Sequence, residues 1–428
     1  MRFPLPLSRL TTLAALGIVM VSAANAQQIG SLSFVGQATF NSGSAPLQVG
    51  GTTAGGLSGI TYDSIRSQYY AISDDANNAR FYTLGLNLSR TDVQGRPVFA
   101  NSDVAFSGFT TLQTPNGSGG FIPVPNGGID PEDIALSGDG GSVYIVSEGN
   151  KNTGIPAFVN QFSLANGQQL NALTVPTGFQ NTAGTTQGPR QNTSFESLTL
   201  ANGGNRLVTA TENALQQDGP PNAANGPGSP SRILTYDLQT GQPGAQYLYN
   251  VDPVLEAPAT GNFATAGLCD ILSLGENQYL SLERSFTVGG ALGGGNRFDS
   301  NGNPIVVGPT GYAVKLYQFS LDGATDISAI PSLLGASGIT PIQKTLLLDF
   351  STLGIALDNL EGIEFGPRLA NGQQSLVVVS DDNFTAGQFT QFVVFAVTPA
   401  APEPGTLALA AMGLLPLAGL VARRRFQK

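Results

Sequence analysis

The chain of 428 residues contains no histidine, no tryptophan and a single cysteine, Cys269. Without histidine, neither a Ser-His-Asp nor a Cys-His catalytic relay can form, and no metal can bind through an imidazole. A single cysteine cannot close an internal disulfide or build a zinc or iron–sulfur centre. Any metal site in this protein must therefore consist of oxygen ligands.

Charged residues are also scarce, at 11% of the chain, whereas hydrophobic residues make up 41%. This balance is typical of a folded protein with a sizeable core. The 55 glycines and 27 prolines indicate many turns, and no helical periodicity of useful length lies between the two termini. The composition therefore favours a fold made of short strands and turns.

The N-terminus has the composition of a targeting segment. Residues 1–26 carry Arg2 and Arg9, then an apolar run, then the small-residue motif Ala24-Asn25-Ala26. This order predicts a secretory signal peptide, with an N-terminal buried helix as the alternative. An exported protein without a disulfide would depend on packing and bound ions for its stability.

The C-terminal residues 402–428 have a second targeting pattern. Pro402-Glu403-Pro404 is followed by an apolar run of 16 residues (407–422) and then by the basic cluster Arg423-Arg424-Arg425. This order resembles the PEP-CTERM sorting signal. The resemblance implies a short transmembrane helix that anchors the protein transiently in the inner membrane, sorting machinery of the exosortase type as a partner, and release to the cell envelope or the extracellular space. A plain tail anchor is the alternative.

Residues 27–401 form the predicted domain between these two segments. Of the 19 basic and 29 acidic side chains, six basic and one acidic lie in the terminal segments, so the domain carries a net charge of −15. Such a surface repels nucleic acid and anionic lipid and attracts cations. We therefore expect that the domain binds no nucleic acid; we also expect a monomer.

Five similar units recur along this domain. Each contains a short apolar run that ends in an acid, and these runs are Tyr70–Asp74, Tyr144–Glu148, Val208–Glu212, Tyr279–Glu283 and Val377–Asp381. Three or four short strands in each unit, joined by glycine-rich connections, predict an all-β β-propeller of five to six blades with long inserted loops. Ser31–Phe40 and Thr345–Phe350 could supply a sixth blade. A β-sandwich and a β-helix are the alternatives.

Alignment of the five units places acidic residues in two columns. The first column contains Ser58, Glu132, Glu196, Cys269 and Glu361, and the second contains Asp74, Glu148, Glu212, Glu283 and Asp381. Equivalent positions in successive blades lie on a ring, so these carboxylates would need either raised pKa values or bound cations. Oxygen ligands favour Ca²⁺ over a transition metal. The alternative is that the acids cap turns without any metal.

The repeated phrases also resemble a known family. Pro131-Glu132-Asp133-Ile134, Phe195-Glu196-Ser197-Leu198, Leu282-Glu283-Arg284 and the segment 359–363 are similar to motifs of the phytase-like domain family, whose members are labelled as having the esterase-like activity of phytase. The resemblance implies a calcium-dependent propeller that hydrolyses a phosphate or another small-molecule ester.

The resemblance also implies roles for individual residues. The expected metal ligands are Glu132, Glu196, Glu212, Glu283 and Glu361, with Asp74 and Asp381 as second choices. Arg284 is expected to hold a substrate oxygen, and Glu283 is grouped with it as catalytic. Two alternatives stay open: a non-catalytic, calcium-stabilised propeller of the envelope or extracellular matrix, and a lactonase-type propeller acting on a neutral ester.

Overall fold

The computed structural model describes residues 28–41, 47–180, 186–224, 226–299 and 302–401. The predicted signal peptide and sorting tail lie outside these residues. Within them, no helix is both long and apolar enough to cross a lipid bilayer. Apart from strands, the described regular structure comprises four short 3-10 helices: Asn101–Asp103, Thr177–Phe179, Asn202–Gly204 and Phe350–Leu353.

Five antiparallel sheets of four strands each form the five blades. Strand β1 (Ile29–Asn41) and the small hairpin β2 (Gln48–Val49) and β3 (Thr52–Thr53) come before the first blade. The first blade consists of β4 (Leu57–Asp63), β5 (Gln68–Ser73), β6 (Arg80–Leu86) and β7 (Val104–Thr111). A hairpin of β8 (Gln113–Pro115) and β9 (Phe121–Pro123) then leads to the second blade.

The next two blades also follow the chain order. The second blade consists of β10 (Pro131–Leu136), β11 (Ser142–Ser147), β12 (Phe158–Ser163) and β13 (Gln169–Ala172). The third blade consists of β14 (Phe195–Ala201), β15 (Arg206–Thr211), β16 (Ser229–Asp237) and β17 (Gln242–Val251).

The last two blades depart from this simple order. The fourth consists of β18 (Ala264–Gly275), β19 (Gln278–Thr287), β22 (Tyr312–Ser320) and β23 (Gln343–Asp349), with a hairpin of β20 (Gly295–Phe298) and β21 (Pro304–Val307) inserted between its second and third strands. The fifth consists of β24 (Asn359–Arg368), β25 (Gln374–Asp381), β26 (Phe389–Pro399) and β1.

The first strand of each blade contacts the first strand of the next, and the fifth contacts the first, so β4, β10, β14, β18 and β24 close a ring. The predicted all-β propeller is therefore confirmed, and it has five blades.

The prediction of a sixth blade from the two extra segments is wrong. The first segment lies in β1, which pairs along its length with β26, from Ile29 opposite Pro399 to Asn41 opposite Phe389. The second segment lies in β23 up to Asp349, and β23 pairs with β22. Each segment is the fourth, outermost strand of an existing sheet. The edge strand of a three-stranded sheet has unpaired backbone N–H and C=O groups, and the segment pairs with these. The ring is thus closed by strands from both ends of the domain.

The core consists of five hydrophobic clusters, one at each interface between neighbouring blades. Strand β25 explains why the inner strands read as continuous apolar runs. Leu376 and Val378 pack toward the fourth blade, whereas Val377 and Val379 pack toward the first. Successive residues of a strand point to opposite faces of the blade, and both faces are covered by neighbouring blades. The residues on both faces are therefore apolar.

Candidate functional site

The residues of the first acidic column lie on β-bulges at the centre of the ring. In every blade the register of the innermost strand shifts at the first-column position: Leu57 lies opposite Ser73, for example, and Gly59, not Ser58, lies opposite Ile72. The extra residue in the five blades is Ser58, Glu132, Glu196, Cys269 and Glu361. A bulge re-aims the side chain that it carries, and Glu132, Glu196 and Glu361 line one cavity.

The second column lies at the last residue of the second strand or directly after it, with one exception. Asp74, Glu148, Glu212 and Asp381 each come directly after a serine or threonine that pairs with the inner strand. In the fourth blade that paired position is taken by Glu283, opposite Leu268. Arg284 is therefore the residue equivalent to the four acids.

The alignment of Glu283 with the other acids was off by one residue, and the structure places Glu283 outside the cavity. Its carboxylate accepts hydrogen bonds from Tyr249 Oη at 2.6 Å and from the backbone N–H of Asp252 at 2.9 Å. It also forms an ion pair with Lys344. Because β19 continues as regular strand through both Glu283 and Arg284, no turn marks the end of the second strand in this sequence.

The cavity has a volume of about 740 Å³ and contains all the other candidates. Its lining includes eight carboxylates: Asp74, Glu132, Glu148, Glu196, Glu212, Asp358, Glu361 and Asp381. Arg284 is the sole cationic side chain among its described lining residues. This charge imbalance makes the cavity a site of strong negative potential when its acids are ionised.

Two groups of carboxylates, all of them cavity-lining except Asp130, have the spacing of a cation site. Ligand oxygens of Asp74, Asp130 and Glu132 lie within 4.8 Å of one another, and so do those of Glu132, Glu148 and Glu196. Glu132 belongs to both groups. We call these groups the first and the second acidic triad.

Each triad contains a pair of carboxyl groups joined by a hydrogen bond, Asp74 with Asp130 and Glu148 with Glu196. Such a bond requires one of the two groups to hold a proton. Burial, reinforced by repulsion from Asp74 and Glu196, raises the pKa of Glu132 well above its usual value. Burial and the neighbouring Asp130 raise the pKa of Asp74 in the same way. In the absence of a cation, the triads therefore hold protons to pH values at which surface carboxylates are ionised.

The sequence prediction missed two members of the triads. Glu148 belongs to the second column but is not among the expected ligands, and Asp130 belongs to neither column. Asp130 could have been found from its position two residues before Glu132, since a residue that close to a column position lies at the same end of the ring. The residue before a proline adopts an extended backbone conformation, which continues the line of β10 from Pro131 to Asp130.

Two of the remaining acids, Glu361 and Glu212, contact Arg284. Its Nη2 lies 2.8 Å from Glu361 Oε1 and 3.4 Å from Glu212 Oε1, and Asn359 Nδ2 donates to the same Glu361 oxygen at 2.9 Å. Arg284 and Asn359 are 8% and 6% exposed. Arg284 Nε and Asn359 Oδ1 nevertheless have no hydrogen-bond partner among the described residues. Since buried polar atoms are normally paired, this donor and this acceptor indicate a place for a polar ligand.

Sequence and structure comparisons identify the family of this chain. The sequence model named Phytase-like, described as esterase-like activity of phytase, matches residues 52–384. The chain belongs to the phytase-like family. No curated protein is significantly similar to it in sequence.

Three solved structures illustrate the proteins whose chains follow a similar course. One is an endo-arabinase from Bacteroides thetaiotaomicron VPI-5482, with 14% identity, a TM-score of 0.37 and coverage of 87% of this chain and 99% of that one. A thermostable family-43 glycoside hydrolase has 9% identity, a TM-score of 0.40 and coverage of 84% and 98%. The WD40 repeats of RRP9 have 9% identity, a TM-score of 0.33 and coverage of 84% and 100%. Similarity at this level bears on neither substrate nor mechanism.

A third carboxyl pair lies one residue further along the inner strands of this phytase-like propeller. The side chains of Asp133 and Asp270 are hydrogen-bonded to each other. Asp133 also accepts from the backbone N–H of Leu198 in the third blade at 2.5 Å, and Asp270 from that of Ile363 in the fifth at 2.6 Å. Burial raises the pKa of both groups well above its usual value. This pair therefore joins four blades across the axis.

The close packing at the axis leads to a stability prediction. A Cβ added at Gly59 would lie 2.0 Å from Asp133 Oδ1 and 2.7 Å from its Cα, whereas a Cβ at Gly85 in β6 would meet nothing within 4 Å. We expect Gly59→Ala to destabilise the propeller by about 1–3 kcal/mol, as overpacking does. Gly85→Ala, the matched control, should be neutral or slightly stabilising. Urea unfolding of both variants measures the difference, and equal stabilities would contradict the packing described here.

Proposed function

We propose that this phytase-like propeller is a calcium-dependent hydrolase of phosphate or other small-molecule esters. The observation that carries the proposal is the pair of acidic triads, which share Glu132 and open into the same cavity as the unpaired Arg284 Nε. A volume of about 740 Å³ is in the range of small-molecule sites.

The donor set of the triads fits Ca²⁺. The cation takes roughly six to eight oxygen ligands. The first triad offers the carboxylates of Asp74, Asp130 and Glu132, and the second adds those of Glu148 and Glu196. Water and substrate oxygens would complete the coordination. A divalent cation would also replace the protons that join the carboxyl pairs, which removes the cost of burying these acids together.

When bound, Ca²⁺ would supply positive charge for an anionic ester and lower the pKa of a nearby water. The protein's own side chains would do the rest. Arg284 is oriented by Glu361 and Glu212, so its Nε–H is available to donate to one oxygen of the ester. Asn359 Oδ1 is available to accept a hydrogen bond from a substrate hydroxyl or from water, and a carboxylate of a triad can accept the proton of the attacking water.

One observation favours a second candidate substrate, a neutral ester or lactone. Among the described lining residues, Arg284 is the single cation, and its Nη2 is already engaged by two glutamates. A neutral ester needs less positive charge than a phosphate. The non-catalytic reading is a propeller in which Ca²⁺ serves stability alone.

We also propose export through the N-terminal signal and sorting through the C-terminal tail to the envelope or extracellular space, with the monomer as the working form. The net charge of −15 between the two segments supports a protein that binds neither nucleic acid nor anionic lipid.

Hydrolysis of p-nitrophenyl phosphate, p-nitrophenyl acetate and phytate, with and without Ca²⁺, tests this proposal. Arg284→Lys keeps the charge but loses the planar guanidinium and its Nε–H. We expect it to lower kcat/KM by about 100-fold, as loss of one positioned donor does, while Ca²⁺ still raises the melting temperature. Arg96→Lys is the matched control, because Arg96 is exposed and pairs with Asp92.

Each outcome of this experiment supports one interpretation. Turnover of the acetate alone would favour the neutral-ester candidate. No turnover of any substrate, together with stabilisation by Ca²⁺, would favour the non-catalytic propeller. Full activity of Arg284→Lys would show that the role assigned to Arg284 is wrong.

A further inference from the structure

The fourth blade gives the cavity an aromatic wall. Phe263, Phe286 and Tyr312 all line it. The rings of Phe263 and Phe286 have centroids 6.4 Å apart, and those of Phe286 and Tyr312 are 4.5 Å apart. Phe286 and Tyr312 lie opposite each other in β19 and β22, and Phe263 comes directly before β18. We call these three residues the aromatic wall.

The aromatic wall lies beside the one cationic side chain of the described lining. Phe286 is two residues after Arg284 on β19 and therefore faces the same side of the sheet. Val307, the last residue of the inserted hairpin, and Pro309, just after it, extend the apolar surface. The acids of the triads come from the first three blades, and the fourth blade has Cys269 and Arg284 at its two column positions.

Phe263 makes the wall accessible from outside. Its side chain is 61% exposed, although a phenylalanine that served only packing would be covered. Exposed apolar surface next to a polar site is typical of a ligand-binding surface. An aromatic ring on a ligand would pack against Phe263 and Phe286 in the offset or edge-to-face geometries that such rings prefer.

We propose that the cavity takes an ester that carries an aromatic ring, with the ring on the aromatic wall and the ester oxygens between Arg284 and the acidic triads. For hydrolysis, this inference rests on the proposed function; for binding, it stands independently. A ligand with charge on every face would place part of that charge against Phe263 and Phe286 and lose solvation there.

Two measurements test the substrate class. The first compares kcat/KM for phenyl phosphate and for methyl phosphate in the presence of Ca²⁺, in the full chain and in Phe263→Ala. The second measures binding of phenylphosphonate and methylphosphonate, which cannot be hydrolysed, by calorimetry under the same conditions. We expect the phenyl compounds to be favoured in both, and Phe263→Ala to reduce their advantage by about five- to tenfold. Phe121→Ala is the control, since Phe121 is 37% exposed in β9 and does not line the cavity.

The outcomes separate this inference from the proposed function. If phenylphosphonate binds better in a manner that needs Phe263, but no ester is hydrolysed, the aromatic site stands and the hydrolase falls. If both phosphates are hydrolysed and Phe263→Ala does not change the ratio of their kcat/KM values, the hydrolase stands and the aromatic site is overturned. If a hexose phosphate is favoured over phenyl phosphate, the aromatic site is also overturned. Phe263→Leu distinguishes the aromatic ring of the side chain from its apolar area. If this variant loses the preference for phenyl compounds, the preference is due to the ring, which supports the inference. If it keeps the full preference, apolar area alone is responsible and the inference is overturned.

Discussion

Ca²⁺ is expected to raise the melting temperature of the wild-type protein and to leave that of Glu132→Gln nearly unchanged. Glu132 is a member of both acidic triads, so its removal takes a ligand from each. At a concentration about 100 times Kd, a ligand stabilises the folded state by about 2.7 kcal/mol per site. Two sites that share Glu132 would therefore contribute roughly twice that amount in the wild type and little in the variant.

The same substitution should have the opposite effect without Ca²⁺. In EDTA at pH 8, Glu132→Gln removes a buried acid whose pKa is raised by burial and by repulsion from Asp74 and Glu196, so we expect it to melt at or above the wild-type temperature. Differential scanning calorimetry in EDTA and in Ca²⁺ measures the melting temperature under both conditions. Glu276→Gln is the control, because Glu276 is exposed and distant from the cavity lining. Equal stabilisation of all three proteins by Ca²⁺ would overturn the assignment of the triads.

The second large effect is a loss of stability of the calcium-free protein as pH rises from about 5 to 8. Burial raises the pKa of Asp74, Glu132, Glu148, Glu196 and Asp381 well above the usual value. In this range the folded state therefore binds more protons than the unfolded state, and the free energy of unfolding must decrease with pH. The decrease begins near pH 4, where unfolded carboxyl groups ionise, and continues through the raised pKa values of the folded protein.

Ca²⁺ should remove most of this pH dependence, because it replaces the protons of the carboxyl pairs. Part of the slope should persist. Burial raises the pKa of Glu364 to about 7, and Glu364 lines a different cavity, at the other end of the inner strands. Urea unfolding at several pH values measures the slope. A calcium-free stability that is constant or increases between pH 5 and 8 would contradict the shared protons.

Proton release provides an independent measurement of the same effect. Calcium binding at pH 6, followed by calorimetry in two buffers of different ionisation enthalpy, should show protons leaving the protein. The control is Glu276→Gln, which should release as many as the wild type. Binding without release would mean that the triads are already ionised.

The repeated acids could be predicted from the sequence because they recur at equivalent positions in most units, in three of five in the first column and in four of five in the second. The bulge that aims Glu132, Glu196 and Glu361 into one cavity could not be predicted, since a bulge is a property of the register between two strands. For the same reason Glu283 was aligned with the acids although Arg284 is the equivalent residue. Pairing between neighbouring strands determines which of two adjacent charged residues enters the site.

The number of blades depended on the closure of the ring. The strand character of Ser31–Phe40 and Thr345–Phe350 is evident from their residues, but each could extend an existing sheet or begin a new one. In the structure both complete a blade of four strands, and the pairing of β1 with β26 joins the two ends of the domain. The pairing of β1 with β26 connects residues that are 348 (Asn41 and Phe389) to 370 (Ile29 and Pro399) positions apart, and no local pattern encodes it.

The sequence by itself determined the all-β repeat, through short apolar runs separated by glycine-rich turns, and the restriction to oxygen ligands, through the absence of histidine and the single cysteine. Only the tertiary structure decided which acids meet, that Asp130 joins them, and that an arginine and an aromatic wall replace them in the fourth blade. The physical reason is that chemical type belongs to each residue, whereas the distances between residues of different blades exist only once the ring has closed.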